Sequence, residues 1–524
     1  MKEKLLKYIL PAALYVLFFL AMAVFIREKR NYHLDEILTF TLSNNTYDSY
    51  ISVYPEYNVR YDDPESVWLD RMTVRPGEGF NYKNVWERQA MDTHPPFYYV
   101  LIHTVSSFMP GRYSKWIGGG VNIFLALLSL FVFRKLLAKF IRNRVFGLVA
   151  SCAFCFSAGV LSNVTYFRMY VMAMLFVLSV SFIYVCGLWE RGRKFYVSLF
   201  LVSVAGALTH YYFLIYLFFI SLAFGIFLLI KKQWKDVGLL AGVMALAGVA
   251  AYLIFPSIVA HSVGGGYRGN EVIANLKQSS LWVMMKECFA IVDKQLFSGY
   301  FILLIAISAV LTLIGIVFNW TSGRKDPFMT TEFEKHYAWI MLWFATVLYF
   351  VTVSKVTIFV MDRYFFPIYG VAIILFATAL YTAFRRIAGE KIAIVMMALL
   401  LLVTTFKEFR TSFYYLYRST QTLLDAAETH SDSDCIFVTG ETIDITPAMC
   451  EVSKYNSVTF ISRYEFNETI DSVDADPSKG LVVVAGQNVN IEEVAQKLYE
   501  KYPTLTGYDF LGAHSYTTSF YFHN

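Results

Sequence analysis

The chain has 524 residues, of which 57% are hydrophobic and 18% aromatic, while only 16% are charged. A soluble protein of this length does not carry that balance, so the composition predicts a polytopic membrane protein and excludes a soluble enzyme. The formal net charge is +5 and no large basic domain stands out, which disfavours nucleic acid as a partner.

The N-terminal segment MKEKLLKYILPAALYVLFFLAMAVFI begins with lysines and continues as an apolar run of about 19 residues. That length predicts a retained first transmembrane helix, because a cleaved signal has a shorter apolar region. Along the whole chain, about eleven apolar runs are long enough to span. They are 8–26, 116–133, 145–163, 169–189, 195–209, 211–230, 237–257, 300–319, 337–353, 364–384 and 391–406.

A further apolar run, 95–110, is short and begins with two prolines. If this run does not span, the basic loops fall on the same side of the membrane as the N-terminus. They are 134–144, 190–194, 231–236, the segment 321–336 with Arg324 and Lys325, and 385–391. The positive-inside rule therefore predicts that 95–110 lies as an interfacial helix at the outer surface, with the N-terminus cytoplasmic and the C-terminus outside.

This topology leaves two long outer loops, 27–115 and 258–299. The first is polar and aromatic and is expected to hold short interfacial helices. The second contains the glycine-rich piece HSVGGGYRGNE, followed by an amphipathic stretch around LWVMMKECFAIV. Long ordered loops of this kind are more often functional than passive.

The composition changes after residue 410, and residues 411–524 are predicted to form a small extracytoplasmic α/β domain. CIFVTG, SVTFIS, GLVVVAG and SYTTSFYFH have the pattern of strands, and IEEVAQKLYEKY that of an amphipathic helix. In an oxidising compartment Cys435 and Cys450 are candidates for a disulfide, which the sequence leaves open. The Cys152–Cys155 pair lies in an apolar run, where packing is the simpler interpretation.

Ionisable residues recur at the predicted outer ends of the helices. They are Asp35 and Glu36 in YHLDEILTF, Asp92 and His94 in MDTHPPFYYV, Arg168 in NVTYFRMYV, His210 in ALTHYYF, and Lys355, Asp362 and Arg363 in SKVTIFVMDRYFFP. Because ionisable groups at the membrane usually mark function, their convergence at one surface indicates a site.

Each of these residues also has a purely structural interpretation, which the sequence leaves open. Asp35 and Glu36 are compatible with a solvated loop, and Asp92 with a cap on a helix that begins at proline. The two arginines fit snorkelling anchors, and His210 fits a packed histidine.

Taken as a site, the set combines cations that bind phosphate with carboxylates that take protons. A helix that begins behind His94 and Pro95 adds a favourable dipole for an anion. These groups suit the transfer of a unit from a lipid-linked phosphate donor to an alcohol.

The order of the motifs is a familiar one. An Asp-Glu pair after the first helix is followed by D-x-H-P-P-[aromatic]-Y-Y, F-R-M-Y, T-H-Y-Y and a late R-Y-x-x-P. This order resembles the GT-C membrane glycosyltransferases, in the branch with protein O-mannosyltransferases and lipid A aminoarabinose transferases. The likeness covers residues 1 to about 410, as a GT-C-like transmembrane catalytic domain.

The resemblance implies inverting transfer of a sugar from a polyprenyl-phosphate donor to a hydroxyl of a glycan, lipid or exported protein at the outer face. Asp35 matches the general base, with Glu36 supporting it. The implied substrate-binding residues are Asp92, His94, Arg168, Tyr170, His210, Tyr211, Arg363 and Tyr364. The resemblance implies an enzyme that requires no cofactor. Four of the acids and histidines nevertheless offer ligands for a divalent metal, namely Asp35, Asp92, His94 and His210.

Other functions remain open at this stage. A transporter or flippase of lipid-linked or polar solutes predicts charges at the bilayer midplane and broken helices. A non-catalytic scaffold that displays the C-terminal domain predicts that Asp35 is dispensable. The chain lacks the luminal repeats of eukaryotic O-mannosyltransferases, which favours a multi-pass protein of a bacterial inner membrane.

Overall fold

The computed structural model describes residues 2–46, 52–263, 279–321, 332–409 and 413–524, together with residues 270, 274 and 276. Three features of the sequence therefore lie outside the described residues. They are most of the glycine-rich piece in the second outer loop, the basic pair Arg324 and Lys325, and the expected domain boundary at 410–411.

The N-terminal part is built from helices. They are α1 (Leu10–Glu28), α2 (Leu34–Asn44), α3 (Ser66–Met72), α4 (Tyr82–Met91), α5 (Phe97–Ser107), α6 (Lys115–Phe140), α7 (Arg144–Cys155), α8 (Ala158–Thr165), α9 (Tyr170–Gly187), α10 (Arg193–Ala207), α11 (Tyr211–Ile230), α12 (Trp234–Ile254), α13 (Ser257–Val263), α14 (Leu281–Phe297), α15 (Phe301–Thr321), α16 (Phe333–Val356) and α17 (Phe366–Phe409). Short turns precede α1 at Lys2–Lys4 and Leu5–Ile9, and a 3₁₀ turn, Asp362–Tyr364, precedes α17.

Seven of the described helices are long and apolar enough to cross a membrane, or up to nine if each of two bent pairs is one span. This count is lower than the eleven runs in the sequence for two reasons. The run 195–209 forms α10, whose 15 residues extend about 22 Å, less than a hydrocarbon core of about 30 Å. The runs 364–384 and 391–406 are counted together in α17, although the non-helical backbone of Gly389, with a φ of 77°, divides α17 into two helical segments.

The proline-headed run forms α5, a helix of 11 residues. Such a helix is about 16 Å long, roughly half of a hydrocarbon core, so it is too short to span. The main-chain amide of Phe97 donates to the carbonyl of Leu208, which ties the start of α5 to the end of α10. The placement of α5 in the outer interface stays a prediction.

The packing of the helical part centres on α9. This helix contacts α6, α10, α11 and α17, and most of its side chains are buried. The first residue of α9 is Tyr170, so one end of this largely buried helix carries a motif that the sequence singled out.

The C-terminal part is a mixed sheet with helices. Its strands are β2 (Asp434–Thr439), β3 (Ser457–Ser462), β4 (Leu481–Gly486), β5 (Gly507–Ala513) and β6 (Thr517–His523). Its helices are α18 (Gln421–Thr429), α19 (Thr442–Ile445), α20 (Met449–Val452), α21 (Phe466–Thr469) and α22 (Ile491–Lys501), with 3₁₀ turns at Tyr414–Leu416, Arg418–Thr420, Thr446–Ala448, Ile470–Ser472 and Pro477–Lys479. The four predicted strands and the predicted helix form, and β5 is additional. The expected fold class, a polytopic helical membrane protein with a small C-terminal α/β part, is confirmed.

The sheet also includes a strand from the first outer loop. This strand, β1 (Arg60–Tyr61), pairs antiparallel with β3, and the strand order is β1-β3-β2-β4-β6-β5. Arg60 binds both carboxylate oxygens of Asp434, at 2.8 and 3.0 Å. The first outer loop therefore fastens the C-terminal part to the helical part. Cys435 and Cys450 are not bonded to each other.

Candidate active site

Helix α2 places Asp35 and Glu36 in its first turn. His33 caps this helix through Nδ1, which accepts from the amide of Asp35 at 3.1 Å. The carboxylate of Glu36 in turn accepts from the amide of His33 at 2.7 Å. This reciprocal arrangement follows the logic of a capping box, with histidine in place of the usual Ser or Thr, and it fixes the direction in which Asp35 leaves the helix.

Glu36 is fully buried and every contact it makes is within the protein. Oε2 forms an ion pair with Lys29 at 2.9 Å, with no exposed surface on either side chain. Oε1 accepts from the amide of Phe167 at 2.8 Å. Lys29 also donates to the carbonyls of Thr165 and Tyr415. With both of its oxygens engaged, Glu36 is placed to position the segments around Asp35.

Asp35 lies in a group that we call the Asp35 cluster, defined as Asp35, Tyr166, Arg168 and Arg363. Tyr166 donates to Oδ2 of Asp35 at 2.7 Å, and Nη1 of Arg363 lies 3.1 Å from the same oxygen. Nη1 of Arg363 also donates to the Tyr166 hydroxyl at 3.0 Å. No described residue bonds Oδ1, and the Asp35 side chain is 22% exposed. One oxygen of this carboxylate is therefore held and the other is available.

The cluster controls the protonation of Asp35. Burial by itself raises the pKa of this carboxyl, but Arg363, His33 and Arg168 outweigh that effect and hold the pKa below its ordinary range. Asp35 is therefore ionised at neutral pH.

Arg168 is 3% exposed and connects the parts of the cluster. Its Nη1 donates to the carbonyl of Asp35 at 3.2 Å, to Thr39 at 3.1 Å and to the Tyr99 hydroxyl at 2.9 Å. Its Nη2 lies 3.4 Å from Nε2 of His94. The contacts of Arg168 are thus directed at protein groups on α2, on α5 and in the segment just before α5.

Asp92 and His94 form a pair beside Arg168. Nδ1 of His94 lies 2.9 Å from Oδ2 of Asp92. Burial lowers the pKa of His94, so the ring is neutral, donates from Nδ1 to Asp92 and presents Nε2 as an acceptor to Arg168. The cap of α5 is Pro96, without a side-chain hydrogen bond. The capping interpretation of Asp92 is therefore not what the structure shows.

His210 and Tyr170 close another side of the site. Their ring centroids are 5.0 Å apart, and those of His210 and His94 are 6.1 Å apart. Nδ1 of His210 accepts from the amide of Tyr212 at 3.0 Å and so caps α11. Burial lowers the pKa of His210 well below its ordinary value, and its neutral ring carries the proton on Nε2.

Tyr364 adjoins the site. The guanidinium carbon of Arg363 lies 5.4 Å from the centroid of the Tyr364 ring, which also packs edge-on against Tyr212 with centroids 5.5 Å apart. Two other candidates make their described contacts elsewhere. The Tyr211 hydroxyl pairs with Nδ1 of His261 at 2.9 Å. Lys355 bonds the carbonyl and hydroxyl of Ser279.

Several residues of the site were not identified from the sequence. They are His33, Tyr99, Tyr166, Tyr415 and Tyr516. Tyr166 directly precedes the FRMY motif, and Tyr99 lies within the HPPFYY motif, so adjacency was a usable signal for both. Tyr415 follows the last span, and nothing local marks it.

Tyr415 and Tyr516 bring the C-terminal part to the site. The ring of Tyr415 stacks on Tyr166 with centroids 4.1 Å apart and planes at 22°, and its hydroxyl donates to Asp362 at 2.6 Å. Burial raises the pKa of Tyr516, in the turn between β5 and β6, and the charges of Tyr414 and Asp35 raise it further. The C-terminal part thus contributes side chains to the surroundings of Asp35.

Metal ligands are not gathered in the described part of the site. Among the described residues, no three His, Cys, Asp or Glu side chains group as the ligands of one ion. Asp35 is held by a guanidinium, and Asp92 and His94 hold each other.

No protein-family model and no curated protein sequence matches this chain. Two solved structures are similar to it over nearly its whole length. The first is ArnT from Cupriavidus metallidurans in the apo state, with a TM-score of 0.46, 10% identity and 98% of each chain covered. The second is the oligosaccharyltransferase of Archaeoglobus fulgidus tethered to an acceptor peptide, with a TM-score of 0.44, 10% identity, and 99% of this chain and 74% of the other covered.

At 10% identity and TM-scores below 0.5, neither likeness assigns a function to this chain.

Proposed function

We propose that this protein is an inverting membrane glycosyltransferase that moves a sugar from a polyprenyl-phosphate donor to a hydroxyl acceptor at the outer face of a bacterial inner membrane. One observation carries the proposal. Asp35 is an ionised carboxylate with one available oxygen, beside the guanidinium of Arg363, whose side chain is 10% exposed, at the ends of membrane helices.

The available oxygen of Asp35 is the proposed general base. It accepts the proton of the acceptor hydroxyl while that oxygen attacks the anomeric carbon of the sugar. The bond between that carbon and the phosphate oxygen breaks at the same time, and polyprenyl phosphate leaves. A single displacement of this kind inverts the anomeric carbon.

Arg363 is the proposed phosphate ligand. Its described contacts all use Nη1, so Nε and Nη2 remain for two parallel hydrogen bonds to phosphate oxygens. A bound phosphate shares the charge of Arg363 and weakens its hold on Asp35. The pKa of Asp35 then rises, and the carboxylate becomes a stronger base when the donor is present.

Arg168, with its buried contacts, is proposed to position Asp35 and His94 rather than to bind the donor directly. Glu36 has the same type of role through Lys29. Tyr170, His210, His94 and Asp92 lie near Asp35 and Arg168 and are proposed to contact the sugar ring. Tyr211 and Tyr364 remain proposed outer contacts of the substrates.

The location of the charges favours an enzyme over a transporter. Asp35 is on α2, which is not among the candidate spans. Arg168 and His210 lie in connections between helices, and Arg363 lies in the 3₁₀ turn before α17. A transporter would require such groups at the middle of the spans.

The proposed reaction runs without a divalent metal, because Arg363 and Arg168 supply positive charge where an ion would otherwise sit. Activity in purified membranes is expected to be unchanged after EDTA treatment and desalting. Loss of activity that only added Mg²⁺ or Mn²⁺ restores would contradict this part of the proposal.

The central test measures transfer from a panel of labelled polyprenyl-phosphate sugars, with wild type compared with Asp35→Asn. A general base contributes about 10²–10⁴-fold, so at least a hundredfold loss is expected. Asp63→Asn, an exposed acid of the same outer loop, is the matched control and should keep wild-type activity. If wild type consumes no donor, or Asp35→Asn transfers at the wild-type rate, the proposal fails.

A further inference from the structure

A cleft of about 720 Å³ opens at the far end of α6 and α9 from the Asp35 cluster. Its walls come from the last turns of α6 and α9, the first turns of α10 and the start of α16. The 18 residues of α9 separate the cleft from the Asp35 cluster by about 27 Å. Because α6 and α9 are candidate spans, the cleft lies at the opposite membrane surface.

The cleft is lined by unpaired positive charge. Its basic residues are Lys139, Arg142, Arg193, Lys194 and Lys335, and its acidic residues are Glu190 and Glu332. We call this site the basic cleft. Its charged side chains add up to a net charge of +3, and none of the five cations forms an ion pair with another described residue.

Three neighbouring basic residues outside the basic cleft are paired. Arg144 lies 3.3 Å from Glu3, Arg191 lies 3.0 Å from Asp236, and Lys231 lies 2.8 Å from Glu334. In the sequence ERGRK, Arg191 therefore pairs within the protein, while Arg193 and Lys194 line the cleft. Lys232 and Lys235 lie at the same end without an ion pair to a described residue, so what distinguishes the cleft is that five cations line one concavity.

The backbone adds to the positive potential. Helix α10 begins at the cleft with Gly192 as its N-cap and has no side-chain cap. The amide of Phe195 donates to the carbonyl of Gly192, and no side chain caps the other amides of the first turn, so the helix dipole favours an anion at this end.

One wall of the basic cleft is apolar. Ala138, Phe182, Ile183 and Phe195 line it beside the cations, and Lys139 lies 5.8 Å from the centroid of the Phe182 ring. A small hydrated anion makes no favourable contact with this apolar wall. An amphiphile with a phosphate head and hydrocarbon chains matches both surfaces.

We propose that the basic cleft binds the headgroup of an anionic glycerophospholipid, with its phosphate against Arg193, Lys194 and the first turn of α10. The acyl chains follow Phe182 and Ile183 into the bilayer. Basic pockets between membrane helices commonly hold anionic headgroups in this way. This site is separate from the proposed sugar-transfer site and does not depend on it.

The test uses the full-length protein in detergent, with bound lipids counted by native mass spectrometry. Phosphatidylglycerol and phosphatidylcholine of identical chain length are titrated separately. Wild type is expected to retain phosphatidylglycerol preferentially. The double variant Arg193→Gln/Lys194→Gln is expected to lower the apparent affinity at least tenfold, because each cation near a membrane surface contributes substantially to anionic lipid binding.

The matched control is Lys232→Gln/Lys235→Gln, which removes two exposed cations at the same end of the protein but outside the basic cleft. It should retain phosphatidylglycerol like wild type. If the first variant does not fold, Lys139→Gln/Arg142→Gln replaces it, since it removes two cations from the other wall.

Three results would overturn the proposal. Equal retention of the two lipids by wild type would show no headgroup preference. Equal losses in the cleft and control variants would show general surface attraction. Displacement of the lipid by millimolar inorganic phosphate would identify a site for a free anion instead.

Discussion

Tyr166 donates its hydroxyl hydrogen to Oδ2 of Asp35 at 2.7 Å. The same hydroxyl accepts from Arg363 at 3.0 Å, so one phenol fixes the distance between the proposed base and the proposed phosphate ligand. The stacked ring of Tyr415 holds that phenol in place. The geometry of the site therefore depends on an aromatic pair from two distant parts of the chain.

Replacing Tyr166 by Phe is expected to lower kcat/KM for sugar transfer about 10- to 100-fold. The change removes one hydrogen bond to a charged group, worth about 1.5–3 kcal/mol. Loss of this bond also raises the pKa of Asp35, so the acidic limb of the pH–rate profile should move to higher pH. Tyr184→Phe is the control, since its hydroxyl bonds Ser221 within the helical bundle. An unchanged pH profile in Tyr166→Phe would contradict the role given to this phenol.

Glu36→Gln is expected to destabilise the protein by about 3–5 kcal/mol, because it leaves the buried charge of Lys29 unpaired. Thermal unfolding in detergent measures this effect. The double variant Lys29→Met/Glu36→Gln should recover part of the loss. Glu334→Gln breaks the more exposed pair with Lys231 and should cost at most about 1 kcal/mol. A fully stable Glu36→Gln that has lost transfer would instead give Glu36 a chemical role.

Folding stability is expected to fall as the pH decreases from about 6.5 to about 4. Burial lowers the pKa of His33 to about 4, while an unfolded histidine titrates near its ordinary value of about 6.5. In that interval the unfolded chain binds a proton that the folded chain does not, so acid favours unfolding by up to about 3 kcal/mol. His94 and His210, whose pKa values burial also lowers, act in the same direction.

His33→Asn tests the contribution of His33 to this pH dependence. Asparagine still caps a helix but does not titrate in this range. The number of protons taken up on unfolding, which the slope of unfolding free energy against pH measures, should therefore decrease by about one. If His33→Asn leaves the slope unchanged, His33 is not buried in its neutral form.

Arg60→Lys is expected to loosen the attachment of the C-terminal part. A lysine cannot form the two parallel bonds that Arg60 makes with Asp434, and β1 has only two residues to hold its edge of the sheet. Hydrogen exchange at Tyr61 and at the β3 amides should increase, at a cost of about 1–2 kcal/mol. Arg463→Lys is the control, because Arg463 follows β3 directly but donates to the carbonyl of Gln487 and not to β1 or Asp434. Equal exchange in both variants would contradict this attachment.

The sequence alone determined the membrane character, the positions of most helices and the strands of the C-terminal part. These features depend on the length and period of apolar runs, which are local properties of the chain. It also singled out Asp35, Asp92, His94, Arg168, Tyr170, His210 and Arg363, because charged and imidazole groups near apolar runs are conspicuous. The chemical role of each stays a prediction.

Only the tertiary structure decided which of those residues are buried and which partners each one contacts. Asp35 and Glu36 are neighbours in the chain. Asp35 nevertheless presents an oxygen to the site, whereas Glu36 is buried in an ion pair with Lys29. Tyr415 joins the site, and β1 joins the sheet. Both come from segments with no distinctive local pattern. Burial, partner choice and the pairing of distant segments arise only when the chain is packed, because each depends on what approaches from elsewhere in the sequence.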